Sequence, residues 1–256
     1  MRSILWTPIL ILFASVFCSA QNTLYIPQVA NGFDPGSVAW ITAVVVTNTA
    51  AAGTALASGT ITFTKDNGTA WSLLINDDQG NLIGNASSFP FQIAGGQTRA
   101  FVTTATDSVV LTGFATVTSN LPVTAGAIFI QFSGSNFARL AQGGVPGSAA
   151  LTRQAIVATR ISNQSEDTGV AVANPNNSTA TITFTLLDRN GVAAFPPVAR
   201  NLGAQGHTAF FISQLFPAIP SRFFGTLQVT SSTPLAAVSL VFDGNVFGTT
   251  PVFPLQ

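Results

Sequence analysis

Charge is what this chain has least of. Only 7% of its 256 residues are Asp, Glu, Lys or Arg, against about 25% in ordinary globular proteins. Its surface therefore has to be covered by Thr, Ser, Asn, Gln and Gly. Formal net charge is zero, so no basic field exists to attract nucleic acid or anionic lipid, and neither is expected as a partner. Histidine occurs once, as His207, and cysteine once, as Cys18. Zinc wants several such ligands, so no metal centre of that kind is expected. After Ala20 no apolar run approaches the roughly 20 residues of a spanning helix, and no membrane span is expected in the exported chain.

Residues 1–20 read as a secretory signal peptide. Arg2 supplies a basic start, residues 4–17 are an apolar stretch too short to cross a bilayer, and Cys18-Ser19-Ala20 offers small residues before a cleavage site. A lipoprotein signal acylated at Cys18 is the rival, but Phe17 stands where such a signal wants a small residue. Without Arg2 the chain carries a net charge of about −1, and from Gln21 onward it has no cysteine. An exported chain without disulfides has to stand on its hydrophobic cores, which about 100 residues can supply. The setting is then bacterial, and the sequons at Asn67, Asn85 and Asn163 read as ordinary turn sequence.

What the chain has in abundance is period-2 alternation, and it has it twice. In GFATVTSNLPVTAGAIFIQF, residues 113–132, and in GTLQVTSSTPLAAVSLVF, residues 225–242, Gly113 matches Gly225, Val117 matches Val229, Pro122 matches Pro234 and Ala125 matches Ala237 at one constant spacing. Leu227 and Val229 alternate with Thr and Gln as in a strand with one buried face. Residues 231–234 are expected to separate that strand from a second one. WITAVVVTN, residues 40–48, matches GVAVAN, residues 169–174, and TITFT occurs at 60–64 and again at 181–185.

Between these landmarks the copies differ in loop length. Asp66-Asn67-Gly68 and Arg189-Asn190-Gly191 suit type I′ turns. The first copy inserts a stretch predicted to be one extra hairpin, with Trp71, Leu73 and Ile75 alternating on its return strand. Ala94-Gly95-Gly96-Gln97-Thr98 matches residues 204–208, which puts His207 against Gln97 as a half-exposed turn residue. In residues 213–222, two prolines allow no more than one helical turn. Phe210, Phe211, Phe216, Phe223 and Phe224 are expected to plug the end of the second unit. Glycine, proline and small residues cluster at 140–151, where a linker is expected. The fold class is therefore all-β, with two tandem Ig-like antiparallel β-sandwich domains at residues 21–147 and 148–256 after the signal peptide.

The order LYIPQVANG, VVVTN, ITFT, DDQGN, AGGQT, GFATVTSNLPVTAGAIF and GVPGS, then VAVANP, ITFTLLDRNG, GHTAFFISQLFP, GTLQVTSSTPLAAVSLVF and FGTTPV, resembles a recurrent tandem Ig-like β-sandwich segment of bacterial secreted and cell-surface proteins. The resemblance covers nearly the whole chain after residue 20. It implies a surface or extracellular protein and brings no catalytic residues with it. The long small-residue loop after Asn48 departs from the tighter turn expected of such a segment.

Candidate chemistry is thin. A Ser-His-Asp arrangement would have to use His207 with Ser213 and Asp188 or Asp243, and no G-x-S-x-G elbow occurs. Calcium would look to residues 77–81, DDQGN, or to Glu166 and Asp167, but the first lacks the spacing of a calcium loop and the second reads as a solvated loop. Paired carboxylates and phosphate-cradling glycines are not indicated. Sugar binding would need exposed aromatics, and Tyr25, Trp40 and Trp71 are available. Trp40 opens an apolar strand and reads as core, whereas Trp71, on the inserted hairpin, is the candidate for a stacking surface.

The expectation is a non-enzymatic structural or adhesive module, secreted or at the cell surface, with no catalytic residues, cofactor or metal. Its partner would be a protein or glycan at the cell surface, with association through unguarded strand edges. The alternative is a carbohydrate-binding module contacting its ligand through Trp71 and Tyr25.

Overall fold

The computed structural model describes residues 22–34 and 37–255, so the expected signal peptide lies outside the described residues. Over the described residues the chain is all-β, with antiparallel strand pairings. Its first ten strands are β1 (Asn22–Phe33), β2 (Val38–Asn48), β3 (Leu56–Lys65), β4 (Leu73–Asn76), β5 (Leu82–Ala86), β6 (Ser88–Ala94), β7 (Thr98–Thr103), β8 (Leu111–Ser119), β9 (Val123–Ser133) and β10 (Arg139–Pro146). One sheet runs β1-β8-β3-β6 and the facing sheet runs β5-β4-β7-β2-β9-β10. The end of β1 crosses over to pair with β2. The next elements are β11 (Leu151–Ile161), β12 (Glu166–Ala173), β13 (Ala180–Asp188), β14 (Val198–Leu202), β15 (His207–Phe211), the single helical turn α1 (Ile212–Leu215), β16 (Arg222–Asp243), β17 (Val246–Thr250) and β18 (Val252–Pro254).

The two sets of strands share one topology. β11, the first half of β16, β13 and β14 repeat the order β1-β8-β3-β6. β15, β12, the second half of β16 and β17 repeat β7-β2-β9-β10. The hairpin β4–β5 is the extra piece of the first copy, added at the edge of β7. Where the first copy breaks between β8 and β9, the second runs on as one 22-residue strand through Ser231-Ser232-Thr233-Pro234, so the expected separation into two strands does not occur. The strand instead bends from one sheet to the other. Ser231 Oγ donates to Thr233 O at 2.6 Å across the bend, and proline fits there because the ladder of β11 is already out of register.

Alternation builds each core. Ile61 and Phe63 in the first TITFT, and Ile182 and Phe184 in the second, point inward with Leu227, Val229 and Val117, all fully or almost fully buried. The intervening threonines line the outer face. Burying each large side chain contributes about 1.5–3 kcal/mol.

The matched polar residues hold corners. Asn48 is buried, and its Nδ2 donates to Ile93 O (2.9 Å) and Ala55 O (3.0 Å). Asn174 does the same toward Leu202 O (3.1 Å), Gly203 O and Ser178 O (both 2.8 Å). Thr42 and Thr168 close the β1–β2 and β11–β12 corners by bonding both backbone groups of Ala30 and Thr159.

The Asn-Gly turns differ from expectation. Within each Asn-Gly pair the glycine alone takes positive φ, Gly68 at 83° and Gly191 at 79°. Gly68 N donates to Lys65 O and Lys65 N to Thr69 O, and Asp188 makes the same pair with Gly191 and Val192. This is a type I turn closed by a left-handed glycine, a three-residue hairpin loop.

Gly113 and Gly225 each face the strand that leads into that turn. A Cβ at either would lie 2.0 Å from a carbonyl oxygen, that of Thr64 or of Leu187. Gly225→Ala is expected to cost about 1–3 kcal/mol, read as a lower urea midpoint, and Gly113→Ala likewise. Gly203→Ala, with nothing within 4 Å, should leave the midpoint unchanged. A silent Gly225→Ala would mean that β13 and β16 do not pair in this register.

Candidate functional site

The side chains with most chemical potential gather where the two sandwiches meet. β12, β15 and β16 carry apolar side chains on both faces. Val170 and Val172 enter the second core, while Ala171 and Val238 point the other way and belong to the first core, with Leu240, Phe242 and Phe247 of β17 packed beside them. They fill the open side of the first sandwich between its edge strands β1 and β10. There Phe247 stacks on Trp40 with ring centroids 5.5 Å apart. Gly143 is the seat for that ring, since a Cβ on it would lie 2.8 Å from Phe247.

His207 stands at the rim of this junction. Its backbone N donates to Asp66 O at 3.0 Å, and its Nδ1 lies 2.7 Å from Asp66 Oδ1. A carboxylate only accepts, so the ring proton is on Nδ1. Thr112 Oγ1 donates to the other carboxylate oxygen at 2.7 Å. The imidazole is fully buried and its Nε2 has no hydrogen-bond partner.

The expected half-exposed turn residue is therefore an inter-sandwich contact. Ala173 opposes His207 as Thr47 opposes Thr98, so the register equates His207 with Thr98, one place on from Gln97. That one-residue difference turns the side chain onto the outward face, toward Asp66.

The hydrolase candidates do not converge. Asp188 accepts from the backbone of Asn190 and Val192 in its own turn, and Ser213 bonds Asp167. Asp243 pairs with Glu166 at the ends of β16 and β12. Glu166 and Asp167 therefore belong to a strand, where a solvated loop was expected. Glu166 accepts from Thr159 Oγ1. Burial pushes the Asp167 carboxyl up, against the opposing pull of Ser213, the Thr168 backbone and Arg160. Asp77 accepts from Asn81 and Gln79 within its own turn, and those bonds hold it below its ordinary value. Among the described residues no group of three or more His, Cys, Asp and Glu comes together, and no helix is long and apolar enough to cross a membrane.

The aromatic candidates also separate. Trp71 is 1% exposed, inside the first core with Leu73 and Ile75. This corrects the expectation that it presents a stacking surface: the inserted hairpin lengthens the sheet instead of standing away from it. Tyr25 points outward from β1, and its backbone bridges to Ser148 in both directions at 2.9 Å. Partial burial raises its phenol. Phe216 and Phe223 do plug the second core, with Phe210 against it. Phe211 instead faces the junction, edge-on to Phe242 at 5.2 Å, and Phe224 is 66% exposed.

Gln28 is a site residue that sequence pattern does not reveal. Between Ile26 and Val29, β1 has two residues, Pro27 and Gln28, where β8 has one, Phe114, whereas β11 matches β16 evenly over the same stretch. The extra residue makes a bulge that re-aims the side chain, and Gln28 enters the junction with a buried Oε1 that has no partner. Hollows of about 290 and 210 Å³ open on either side of it, walled by Leu240 and Phe242 in both cases. Their surface is apolar and aromatic with two amides, Gln28 and Gln214, the Thr112 hydroxyl and no charge.

The fold and its junction define a class: an all-β protein of two like antiparallel sandwiches packed side to side. No protein-family model and no curated protein matches the chain. Among solved structures it is similar to the pilus backbone RrgB of Streptococcus pneumoniae at 8% identity, over 89% of this chain and 91% of that one, with a TM-score of 0.19. That likeness is too slight to bear on fold or function.

Asp66 makes the junction's stability an expected function of pH. Burial alone would raise Asp66, but the hydrogen bonds from His207 and Thr112 outweigh it and leave the carboxyl below its ordinary value. A depressed carboxyl contributes stability that is present above its unfolded value, about 3.9, and is lost as pH falls through its folded value. Asp66→Asn is therefore expected to flatten the fall in melting temperature below about pH 4 relative to the parent. An unchanged acid limb would show that the contact contributes nothing in solution.

Proposed function

We propose that the chain is a non-enzymatic structural or adhesive module of the bacterial cell surface or extracellular space. It is exported through residues 1–20 and built from two Ig-like sandwiches that meet between residues 147 and 148. The observation that supports this reading is where the reactive side chains are engaged. His207 is held by Asp66, Ser213 by Asp167, and Asp77 and Asp188 by their own turns. Each serves the scaffold, and none faces another across a cleft. The outer face of one sheet in each copy, carrying Thr60, Thr62, Thr116 and Thr118 and then Thr183, Thr185, Thr226 and Thr230, suits an extracellular surface that keeps its solubility through hydroxyls.

The carbohydrate-binding alternative loses its main residue with Trp71 in the core, and Tyr25 alone makes no aromatic strip. The test of the structural reading is protease shaving of intact producing cells together with analysis of the medium. The chain is expected to be digested at the surface or recovered outside the cells, and a glycan array is expected to stay blank. Finding the chain only in the cytoplasm would overturn the reading, and array signal lost in Tyr25→Ala would turn it toward sugar binding.

A further inference from the structure

The face of the second sandwich that docks onto the first has an exact counterpart on the first sandwich. Strand registers pair them position by position. Gly169, Ala171, Ala209, Phe211, Val238, Leu240 and Phe242 correspond to Ala43, Val45, Ala100, Val102, Gly126, Ile128 and Ile130. The counterpart is as apolar as the docked face. None of its positions carries a charge, and Val45, Val102, Ile128 and Ile130 are half-buried yet belong to neither hydrophobic core. The opposite sheet of the same sandwich turns threonines outward, so chain-wide composition does not account for the difference. A sheet that can leave one face in water normally alternates apolar with polar, and a contiguous apolar face points to an interaction surface.

The receiving side is repeated as well. On the first sandwich it includes the turn at Asp66, Thr112, the edge strand β1 and Gly143. The same register places Arg189, Phe224, β11 and Gly248 at these positions on the second sandwich. Gly143 is covered by Phe247, but Gly248 has nothing within 4 Å. Phe224 is 66% and Val246 52% exposed there, beside a hollow of about 680 Å³ lined by Arg189, Arg222 and Phe224.

We infer that the outward face of β7-β2-β9 docks onto the second sandwich of another copy of this chain, repeating between molecules the contact made within one. The interface joins unlike surfaces and leaves a free face at each end, so copies add head to tail beyond the dimer. This deepens the structural reading proposed above and rests on it.

The test is sedimentation of the purified chain over a concentration series, with cysteine cross-linking in a Cys18→Ser background. Species beyond the dimer are expected in the parent. Ile128→Lys and, separately, Val45→Lys should remove everything above monomer while leaving the melting temperature unchanged. Ile128→Cys combined with Phe224→Cys should give a cross-linked ladder. On denaturing gels a mixture of the two single cysteine variants should stop at a cross-linked dimer, and each single cysteine variant alone should show no cross-linked band. A parent that is monomeric throughout, or Ile128→Cys alone giving dimers, would overturn the inference. If such a monomeric chain is still digested on intact cells, the surface reading stands without self-docking.

Discussion

On β12 the side chains of Val170 and Val172 enter the second core, while Ala171, between them, points to the first. Adjacent residues of a strand face opposite ways, so a strand that is apolar at nearly every position has to bury two faces. One sandwich can cover only one of them. In β12 and the second half of β16 the other face is covered by the neighbouring sandwich, and this requirement sets where the two copies sit. It brings Phe247 over Gly143 and Trp40 and carries His207 to Asp66.

Duplication and divergence are both visible at this junction. The two copies keep the corner asparagines, the corner threonines and the strand-facing glycines, each fixed by a backbone requirement that any copy of the fold must meet. They differ where one copy meets the other. The bulge at Gln28 occurs only in β1, histidine replaces the threonine at 98, and phenylalanines at 211, 242 and 247 stand where the first copy has Val102, Ile130 and Gln142. Larger rings on the docked face reach across to a partner surface. The lone imidazole adds a directed polar contact at the rim, where an apolar surface alone would leave the orientation loosely defined.

Much of the architecture was legible because it rests on local periodicity. The alternation in TITFT, the paired glycines at 113 and 225, the extra hairpin and the single helical turn all follow from spacing along the chain. The sites were less legible. Trp71 lies on an insertion, which suggests a peripheral position, yet its alternation with Leu73 and Ile75 is that of an inward face. His207 stands one register position from where the turn alignment puts it, and in a strand one position exchanges the two faces. Gln28 left no trace, since a bulge is visible only against the partner strand. The double-sided apolar pattern of residues 41–46 and 169–173 was the signal available for the junction; it says that something covers each strand without naming what.

The central claim is that the two sandwiches are one cooperative body held by the outward face of β12 and β16. Calorimetry of the parent and of Leu240→Asp tests it most directly. The account predicts a single transition in the parent, with calorimetric and van't Hoff enthalpies in agreement, and two separated transitions in the variant. Two independent transitions in the parent, neither moved by Leu240→Asp, would contradict it.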